Sequence, residues 1–514
     1  MNLHNLSIQK CIEYNNTKIL YTEKKLEYDT VIGLEIHVQL NTKSKMFCSC
    51  PNNYQNQEPN TFVCPVCLAL PGSLPVVNKT AIESAIKLGL ALDCKIAPIT
   101  KFDRKNYSYP DLMKGYQISQ FDKPIAFNGS INISDEKNIR INRVHMEEDV
   151  AKLIHNAIPN EDSTLMDVNR AGVPLLEIVS EPDIRTTDET ELYISKLQSI
   201  IQYLEIGSAS MEEGSFRCDA NISIKPKNSN VLNDRVEIKN MNRIKAVTRA
   251  IEFETKRQIK VTESGNRVVQ ETRGWDDEKG ISISQRSKED AHDYRYFPEP
   301  DIPIFELEYK WIESIKNNLP ELPSEKIDRF CNDYGLSEYD AKLLSTSMNI
   351  AKYFEKVVQK FSDSSKKQLH EFSKEAANWL NGEVLRLMNN NHIKDINDLK
   401  ISSENLAELI EMFQKREISN SIAKEVLLEM FQTKNNPKNI VETKGLKKIQ
   451  DIEGLSEIAS EVINNNSGAI QDYLSGKETV IKFLVGQMMK MSKGKADPKI
   501  SESVLKEKLQ DLRK

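Results

Sequence analysis

The segment of residues 31–40 constrains the fold most, because apolar and charged side chains alternate along it. The sequence VIGLEIHVQL places Ile32 and Leu34 on one side of a strand, and Glu35 and His37 on the other. A strand rises roughly 3.3 Å per residue, so Cα atoms two residues apart are about 7 Å apart. Glu35 and His37 can then reach one metal ion or one reacting group together.

The same alternation recurs in two later segments. Arg217, Asp219 and Asn221 alternate with apolar residues, and Glu237 and Lys239 do so about twenty residues further on. Strands that share this pattern form a sheet with one apolar face and one densely charged face. We expect the chemistry of this protein on the charged face.

Length and charge limit the class of protein. At 514 residues and 58.8 kDa the chain is too long for one ordinary core, which predicts two to four domains. A net charge of −6 argues against indiscriminate coating of nucleic acid, but a local basic patch could still bind RNA. No apolar run has the roughly 20 residues of a membrane span. The polar N-terminus lacks a secretory signal, and residues 1–27 are predicted to be a flexible extension.

The pattern changes from β-rich to helical near residue 300. Apolar residues recur at helical spacing from Leu406 behind Ser403, and from Ile422 behind Ser419. The predicted class is therefore α+β, with a β-rich catalytic domain, a helical connector and a small all-helical tail.

Four of the eight cysteines are spaced as metal ligands. The pairs Cys48-x-Cys50 and Cys64-Pro-x-Cys67 enclose a polar, turn-rich loop. Two such pairs can close a tetrahedral Zn²⁺ site, which would be structural because four thiolates leave no open position. Four reduced structural thiols are the alternative. Either interpretation indicates a reducing compartment.

A second cluster is acidic. His145, Glu147 and Glu148 are followed by Glu177, all within strand-like sequence. A charge run is usually a solvated surface, but carboxylates within β-branched sequence need a cation. With Glu35 and its neighbours they offer oxygen ligands suited to Mg²⁺, which commonly bridges carboxylates to phosphates. No phosphate-binding glycine motif is present, so an ATP site would be of an unusual kind.

Two segments are candidates for contact with RNA. Tyr107 and Tyr109 lie among basic residues in a turn-rich span, where unpaired bases could stack on the rings, although core packing would explain them equally well. The basic loop containing Lys490, Lys493 and Lys495 could contact phosphates without reading sequence, or could be ordinary surface.

Eight blocks of sequence, in order, resemble the B-subunit family of aspartyl/glutamyl-tRNA amidotransferases. The resemblance extends from about residue 28 to the end of the chain. The blocks are VIGLEIHVQLNTKSKMFCSC, CPVCLALPGSLPVVN, FDRKNYSYPDLMKGYQISQ, VHMEEDVAKL, NRAGVPLLEIVSEPDIR, MEEGSFRCDANIS, EIKNMN and DYRYFPEPD.

The resemblance implies an architecture and partners. It implies a cradle-like catalytic domain at 28–302, a helical domain at 303–400 and a mobile, tRNA-binding helical tail at 401–514. It also implies a heterotrimer, whose other members are a glutaminase (amidase) A-subunit and a small C-subunit. Those partners supply ammonia from glutamine and hold the two large subunits together. Because the N-terminus lacks an Arg-rich, acid-poor leader, we expect the bacterial cytosol rather than an organelle matrix.

The resemblance also implies a reaction. ATP and Mg²⁺ would phosphorylate the side-chain carboxyl of glutamate on tRNA(Gln), or of aspartate on tRNA(Asn), and ammonia would then displace the phosphate. The roles carried over are Glu35, His37 and Glu148 as Mg²⁺ ligands, Glu147 and Glu177 as further candidates, Arg217 and Lys239 for phosphate and carboxyl stabilisation, Asp219 and Asn221 in the pocket, Lys105 on the ammonia route, and Cys48, Cys50, Cys64 and Cys67 for Zn²⁺.

Other interpretations of the sequence stay open. A noncatalytic, zinc-containing, tRNA-binding scaffold would have no reason to bring Glu35, His37, Glu148 and Asp219 together. An independent ligase with its own ammonia source is weaker, because no residue pattern indicates a glutaminase nucleophile. The sequence does not decide whether glutamate, aspartate or both are substrates.

Overall fold

The computed structural model describes residues 11–14, 17–20, 27–155, 158, 163–227, 229, 231–287, 294–446, 452–492 and 496–512. The chain forms two compact units, Met1–Leu322 and Pro323–Lys514. Within the described ranges, no helix is both long enough and apolar enough to cross a membrane.

Strands occupy the first unit. In chain order they are β1 (Cys11–Tyr14), β2 (Thr17–Leu20), β3 (Tyr28–Gln39), β4 (Lys95–Ile96), β5 (Ile99–Thr100), β6 (Asp103–Asn106), β7 (Tyr116–Ser119), β8 (Ala126–Ser134), β9 (Lys137–Glu148), β10 (Lys152–His155), β11 (Thr164–Asp167), β12 (Pro174–Ser180), β13 (Phe216–Pro226), β14 (Val236–Met241), β15 (Glu271–Asp276), β16 (Ile281–Ser287), β17 (Phe297–Pro298) and β18 (Phe305–Glu306).

Helices occur in both units. They are α1 (Lys79–Ala91), α2 (Thr187–Tyr203), α3 (Ile244–Glu263), α4 (Tyr309–Asn317), α5 (Pro323–Tyr334), α6 (Glu338–Leu344), α7 (Met348–Gln359), α8 (Lys366–Trp379), α9 (Leu385–Asn390), α10 (Ser403–Gln414), α11 (Asn420–Thr433), α12 (Pro437–Thr443), α13 (Ile452–Asn465), α14 (Ser467–Leu474), α15 (Val480–Met491) and α16 (Pro498–Asp511). A π-helical turn, Leu380–Val384, joins α8 to α9.

A nine-stranded sheet organises the first unit. Its strand order is β16-β15-β14-β13-β3-β12-β9-β8-β4, so the strand predicted from residues 31–40 lies at its centre. Neighbouring strands are antiparallel except β14 and β15, which are parallel. A parallel pair needs a crossover connection, and α3 provides it.

The apolar face of the sheet forms the core. Ile32, Leu34 and Ile36 are completely buried there, and α1, α2 and α3 pack against the same core. Burying each of these side chains contributes roughly 1.5–3 kcal/mol. This mixed unit, followed by a helical one, agrees with the predicted α+β class, whereas the cradle shape stays an expectation.

The structure divides the chain later than the predicted boundary between residues 302 and 303. Residues 302 and 303 precede α4, but Ile315 of that helix is buried in the core of the sheet unit, and Trp311 and Ile312 pack against it. The first unit therefore ends at Leu322. The sequence suggested an earlier boundary because the alternating segments stop before α4 begins.

The second predicted boundary, between residues 400 and 401, falls inside one hydrophobic cluster. One hydrophobic cluster extends from Phe330 to Val441, and a separate cluster extends from Leu455 to Leu509. The helix predicted behind Ser403 is present as α10, but Ser402 caps it by accepting from the backbone N–H of Asn405. The predicted Ser419 cap of α11 is confirmed.

Part of the predicted N-terminal extension has regular structure. Strands β1 and β2 pair as an antiparallel hairpin, with Cys11 opposite Leu20. The rest of residues 1–26 lies outside the described ranges. Flexibility of the extension stays a prediction.

Gly129 of β8 lies against the chain that leaves α1 and leads into the edge strand β4. A Cβ atom there would be 2.2 Å from the Cys94 sulfur and 2.5 Å from the Leu92 carbonyl oxygen. We expect Gly129→Ala to destabilise the protein by roughly 3 kcal/mol, the upper end of ordinary overpacking costs. Thermal unfolding measures this, with Gly33→Ala as control because its nearest atom would be 3.8 Å away. Equal shifts in the two variants would contradict the prediction.

Candidate functional site

The charged side chains of the central strands form one row across the sheet. His37 of β3 is opposite Glu177 of β12 on one side and opposite Arg217 of β13 on the other. His145 of β9 is in turn opposite Glu177. Since directly opposite residues share a face, the register brings together residues more than 100 positions apart in sequence.

One histidine and two carboxylates at this row form a possible metal site. His37, Glu147 and Glu177 each offer a ligand atom, and these atoms all lie within 4.8 Å of one another. His37 Nε2 is 3.3 Å from Glu177 Oε2 and 3.7 Å from Glu147 Oε1. An imidazole with two carboxylates suits a divalent cation such as Mg²⁺ or Mn²⁺. We refer to these three residues as the trio.

His145 contacts the trio through Glu177. It is buried, and its Nε2 lies 3.2 Å from Glu177 Oε2, while its Nδ1 accepts a hydrogen bond from Arg143 at 3.4 Å. The contact with Arg143 leaves Nε2 as the ring nitrogen that faces Glu177. His145 was named in the acidic run but not as a site residue, because its role depends on its being opposite Glu177.

Electrostatics in the trio favour ionised groups. Burial alone would lower the pKa of His37, but the hydrogen bond and charge of Glu177, with the charge of Glu147, raise that pKa to about 9. Burial would raise the pKa of Glu177, but the two histidines together lower it well below its ordinary value. Without a bound cation, His37 is therefore protonated at neutral pH and faces the carboxylates of Glu147 and Glu177.

Glu35 and Asn221 lie next to the trio. Asn221 Nδ2 donates to Glu35 Oε1 at 2.8 Å. Burial, followed by the charges of Glu177 and Glu237, raises the pKa of Glu35. Lys239 Nζ lies 2.9 Å from Asp219 Oδ2 and 3.1 Å from Glu237 Oε1, so carboxylates outnumber cations here. Such a site can accept additional positive charge.

Arg217 has an unused donor. Its Nη2 pairs with Asp149 Oδ2 at 3.0 Å, while its buried Nε has no hydrogen-bond partner among the described residues. A guanidinium with a donor left over can bind an oxyanion such as phosphate or carboxylate. The sequence singled out Arg217, but not Asp149, as part of the pocket.

The structure does not bring Glu148 to His37. Consecutive residues of a strand point to opposite faces, so Glu147 and Glu148 of β9 diverge. The Glu148 carboxylate instead accepts from Lys114 Nζ at 2.6 Å and from the backbone N–H of Ile118 at 3.1 Å. The expected ligand set of Glu35, His37 and Glu148 is therefore replaced by the trio, with Glu35 beside it.

Lys105 of β6 lies close enough to Glu147 of the trio for their charges to interact. Although burial lowers its pKa, the charge of Glu147 raises it above the ordinary lysine value. Its Nζ is 5.0 Å from the ring centre of Tyr294. Tyr107 packs edge-on against Tyr294, at 5.9 Å between ring centres, whereas Tyr109 is 53% exposed. The sequence contained Tyr294 in a motif but gave no signal that it would face Lys105.

The four predicted cysteines converge. Their sulfur atoms all lie within 4.8 Å of one another, with Cys50 to Cys67 at 4.0 Å and Cys64 to Cys67 at 3.9 Å. A tetrahedron of zinc–sulfur bonds has edges of about 3.8 Å, whereas a disulfide needs about 2.05 Å between sulfurs. The donor set and spacing therefore fit Zn²⁺.

The loop between the cysteine pairs, residues 51–63, is also held by hydrogen bonds. The Asn60 side-chain oxygen accepts from Val168 N–H at 2.7 Å, and Phe62 N–H donates to Asn169 Oδ1 at 2.8 Å. The buried ammonium of Lys45 donates to the Phe62 carbonyl at 2.8 Å. These hydrogen bonds therefore hold the loop in place in addition to its thiols.

Of the three basic residues predicted to contact RNA in the tail, one is described. Lys490 is exposed in the last turn of α15. Lys493 and Lys495 lie outside the described residues. RNA contact by this segment stays a prediction.

Comparisons with known proteins agree on one family. Residues 30–313 match the family model described as the GatB/GatE catalytic domain, and residues 352–509 match the GatB domain. The B-subunit of the aspartyl/glutamyl-tRNA(Asn/Gln) amidotransferase from Caldicellulosiruptor bescii is 49% identical over 492 residues, covering 95% of this chain and 100% of the relative. The protein of that name from Dehalococcoides mccartyi strain CBDB1 is 51% identical over 491 residues, 94% of this chain and 99% of the relative.

Proposed function

Because this chain belongs to the B-subunit family of aspartyl/glutamyl-tRNA amidotransferases, we propose that it activates the side-chain carboxyl of an amino acid esterified to tRNA. The chain is one component of a tRNA-dependent amidotransferase, a ligase-type complex of protein synthesis. In our proposal, ATP phosphorylates the carboxyl of Glu-tRNA(Gln) or Asp-tRNA(Asn), and ammonia then displaces phosphate to form the amide.

The observation that carries this proposal is the convergence of the trio beside Arg217. A carboxylate is a poor electrophile, so its activation requires neutralisation of its charge and of the transferring phosphoryl group. The trio would hold Mg²⁺, which supplies part of that neutralisation when bound. The unpaired Nε of Arg217 would donate to a phosphate or carboxylate oxygen.

Other residues have supporting roles in the proposal. Glu35, Asp219, Asn221 and Lys239 complete the charged pocket beside the trio. We assign Lys105 to the ammonia route because it lies in the family block FDRKNYSYPDLMKGYQISQ, next to the charge of Glu147. The glutaminase A-subunit and the small C-subunit would complete the complex in the bacterial cytosol.

Recognition of tRNA is assigned to exposed groups in each unit. Tyr109, which is exposed, and Tyr107 would meet the unpaired end of the tRNA, and Lys490 would contact phosphates. The four thiols would hold a structural Zn²⁺. A noncatalytic scaffold is the competing function, and the convergence of the trio disfavours it.

One assay tests the proposal directly. In the complex copurified with both partner proteins, we expect ATP hydrolysis to rise about tenfold or more with Glu-tRNA(Gln) or Asp-tRNA(Asn), as substrate-dependent assembly of a site requires. Uncharged tRNA and correctly charged Gln-tRNA(Gln) are the controls. Amide formation is followed in the same reactions, and ATP turnover that ignores the esterified amino acid would contradict the proposal.

A further inference from the structure

Tyr54, in the loop between the cysteine pairs, contacts a residue on the charged face of the sheet. Tyr54, four residues after Cys50, is partly buried, and its hydroxyl donates to Gln39 Oε1 at 3.2 Å. Gln39 ends β3 on the same face as His37, because the two residues are two positions apart. A side chain from the cysteine loop therefore meets the strand that carries Glu35 and His37.

The contact continues to Arg217. Gln39 Nε2 donates to Asp149 Oδ2 at 2.8 Å, and the same oxygen accepts from Arg217 Nη2 at 3.0 Å. Asp149 is buried, so its carboxylate depends on these partners and on the nearby Arg170. Tyr54, Gln39, Asp149 and Arg217 form one hydrogen-bonded series, which we refer to as the relay.

The relay has only one consistent direction. A carboxylate accepts but does not donate, so the Gln39 amide must turn its NH₂ group to Asp149 and its oxygen to Tyr54. The tyrosine hydroxyl, as donor, fixes that orientation. If the hydroxyl is absent, the amide oxygen loses its partner, and the Gln39 amide is then held only by its bond to Asp149. The carboxylate that holds Arg217 then loses a fixed donor.

We propose that Tyr54 is a positioning residue for Arg217, so that the cysteine-bearing loop is part of the active site rather than a remote structural element. The functional half of this inference rests on the proposed function, because Arg217 binds the phosphate or carboxylate there. The relay acts on Arg217 through Asp149. Asp149 also accepts from the backbone N–H of Val150, so loss of Tyr54 loosens Arg217 without detaching it.

The test compares two tyrosine hydroxyls. Tyr54→Phe removes only the donor of the relay, and Tyr353→Phe removes a buried hydroxyl that donates to the Ile401 carbonyl at 3.0 Å in the helical unit. Phenylglyoxal modification of Arg217, followed by mass spectrometry of the full chain, reports the freedom of its guanidinium. We expect a several-fold faster modification in Tyr54→Phe only, with the exposed Arg140 as internal reference.

Kinetics supply the second readout. A misplaced catalytic-site group can cost an enzyme up to about 100-fold, so a loosened one should lower kcat for amidation roughly tenfold. KM for the charged tRNA should not change. Gln39→Leu should have the same effect, and the double variant should be no slower than Gln39→Leu, because both changes break the same relay.

The outcomes separate the two proposals. Unchanged Arg217 modification in Tyr54→Phe overturns the positioning role, whatever the kinetics. Faster modification with normal amidation also overturns it, because Arg217 would then be loosened without consequence. A wild-type complex that does not amidate removes the proposed function, while the modification rates still decide whether Tyr54 positions Arg217.

Discussion

Replacing Glu177 by Gln is expected to lower the rate of amide formation about 1,000-fold, the upper range for loss of one electrostatic contact in an active site. Glu177 Oε2 lies 3.3 Å from His37 Nε2 and 3.2 Å from His145 Nε2. A neutral amide removes the charge that balances His37 and that would hold a divalent cation. Single-turnover amidation by the copurified complex measures the loss.

A matched control is available four residues away. Glu181 follows β12, and its carboxylate accepts from Asn142 Nδ2 at 2.7 Å outside the trio. Glu181→Gln makes the same chemical change and should leave the rate within about twofold, as for most surface substitutions. Binding of Mn²⁺ to the full chain, followed by electron paramagnetic resonance, should weaken in Glu177→Gln only. Equal amidation rates in the two variants would show that the trio is not the metal site.

Removing one thiol of the cysteine cluster is the second large effect we expect. Wild-type protein should contain about one zinc ion per chain and Cys67→Ser close to none, because a closed tetrahedral site needs all four ligands. Cys67 is buried and lies within 4.0 Å of two other sulfurs. Elemental analysis of the purified chain measures the zinc content. Limited proteolysis should then cleave residues 51–63 faster.

Cys331→Ser provides the control for zinc loss. Cys331 is a free, half-buried thiol in the helical unit and is not part of the cluster. Its replacement should leave the zinc content unchanged. Wild-type protein that binds no zinc after reconstitution under reducing conditions would leave four reduced structural thiols as the better interpretation.

The sequence predicted the central strand and its faces well. Alternation alone placed Glu35 and His37 together, and the register shows Asp219 and Arg217 opposite them. Alternation could not identify which of two adjacent glutamates lies on the charged face of the sheet with His37. Glu147 and Glu148 were both named, and only pairing with β12 sets the phase of β9. The placement of Glu148 away from His37 therefore reflects a tertiary property, since the local sequence fits either phase equally well.

The family resemblance, based on eight sequence blocks, is confirmed by the full-length relatives. Domain boundaries were less predictable, because they depend on which core buries a helix. The sequence of α4 has the same helical pattern as the second unit, but Ile315 of this helix is buried in the core of the sheet unit. The relay was also beyond sequence reasoning. Nothing local links Tyr54 to Asp149, which are joined only by folding of the loop onto β3.

The long pairing of β13 with β3 has a consequence for how the gene can change. The two strands are in register from Phe216 to Pro226. Gaining or losing one codon inside β13 would exchange the two faces for every residue on one side of the change, so that charged residues on that side would turn into the core and apolar ones out of it. Substitutions of single residues in β13 are therefore tolerated far better than changes in its length. Viable insertions and deletions should accumulate in the connections between strands.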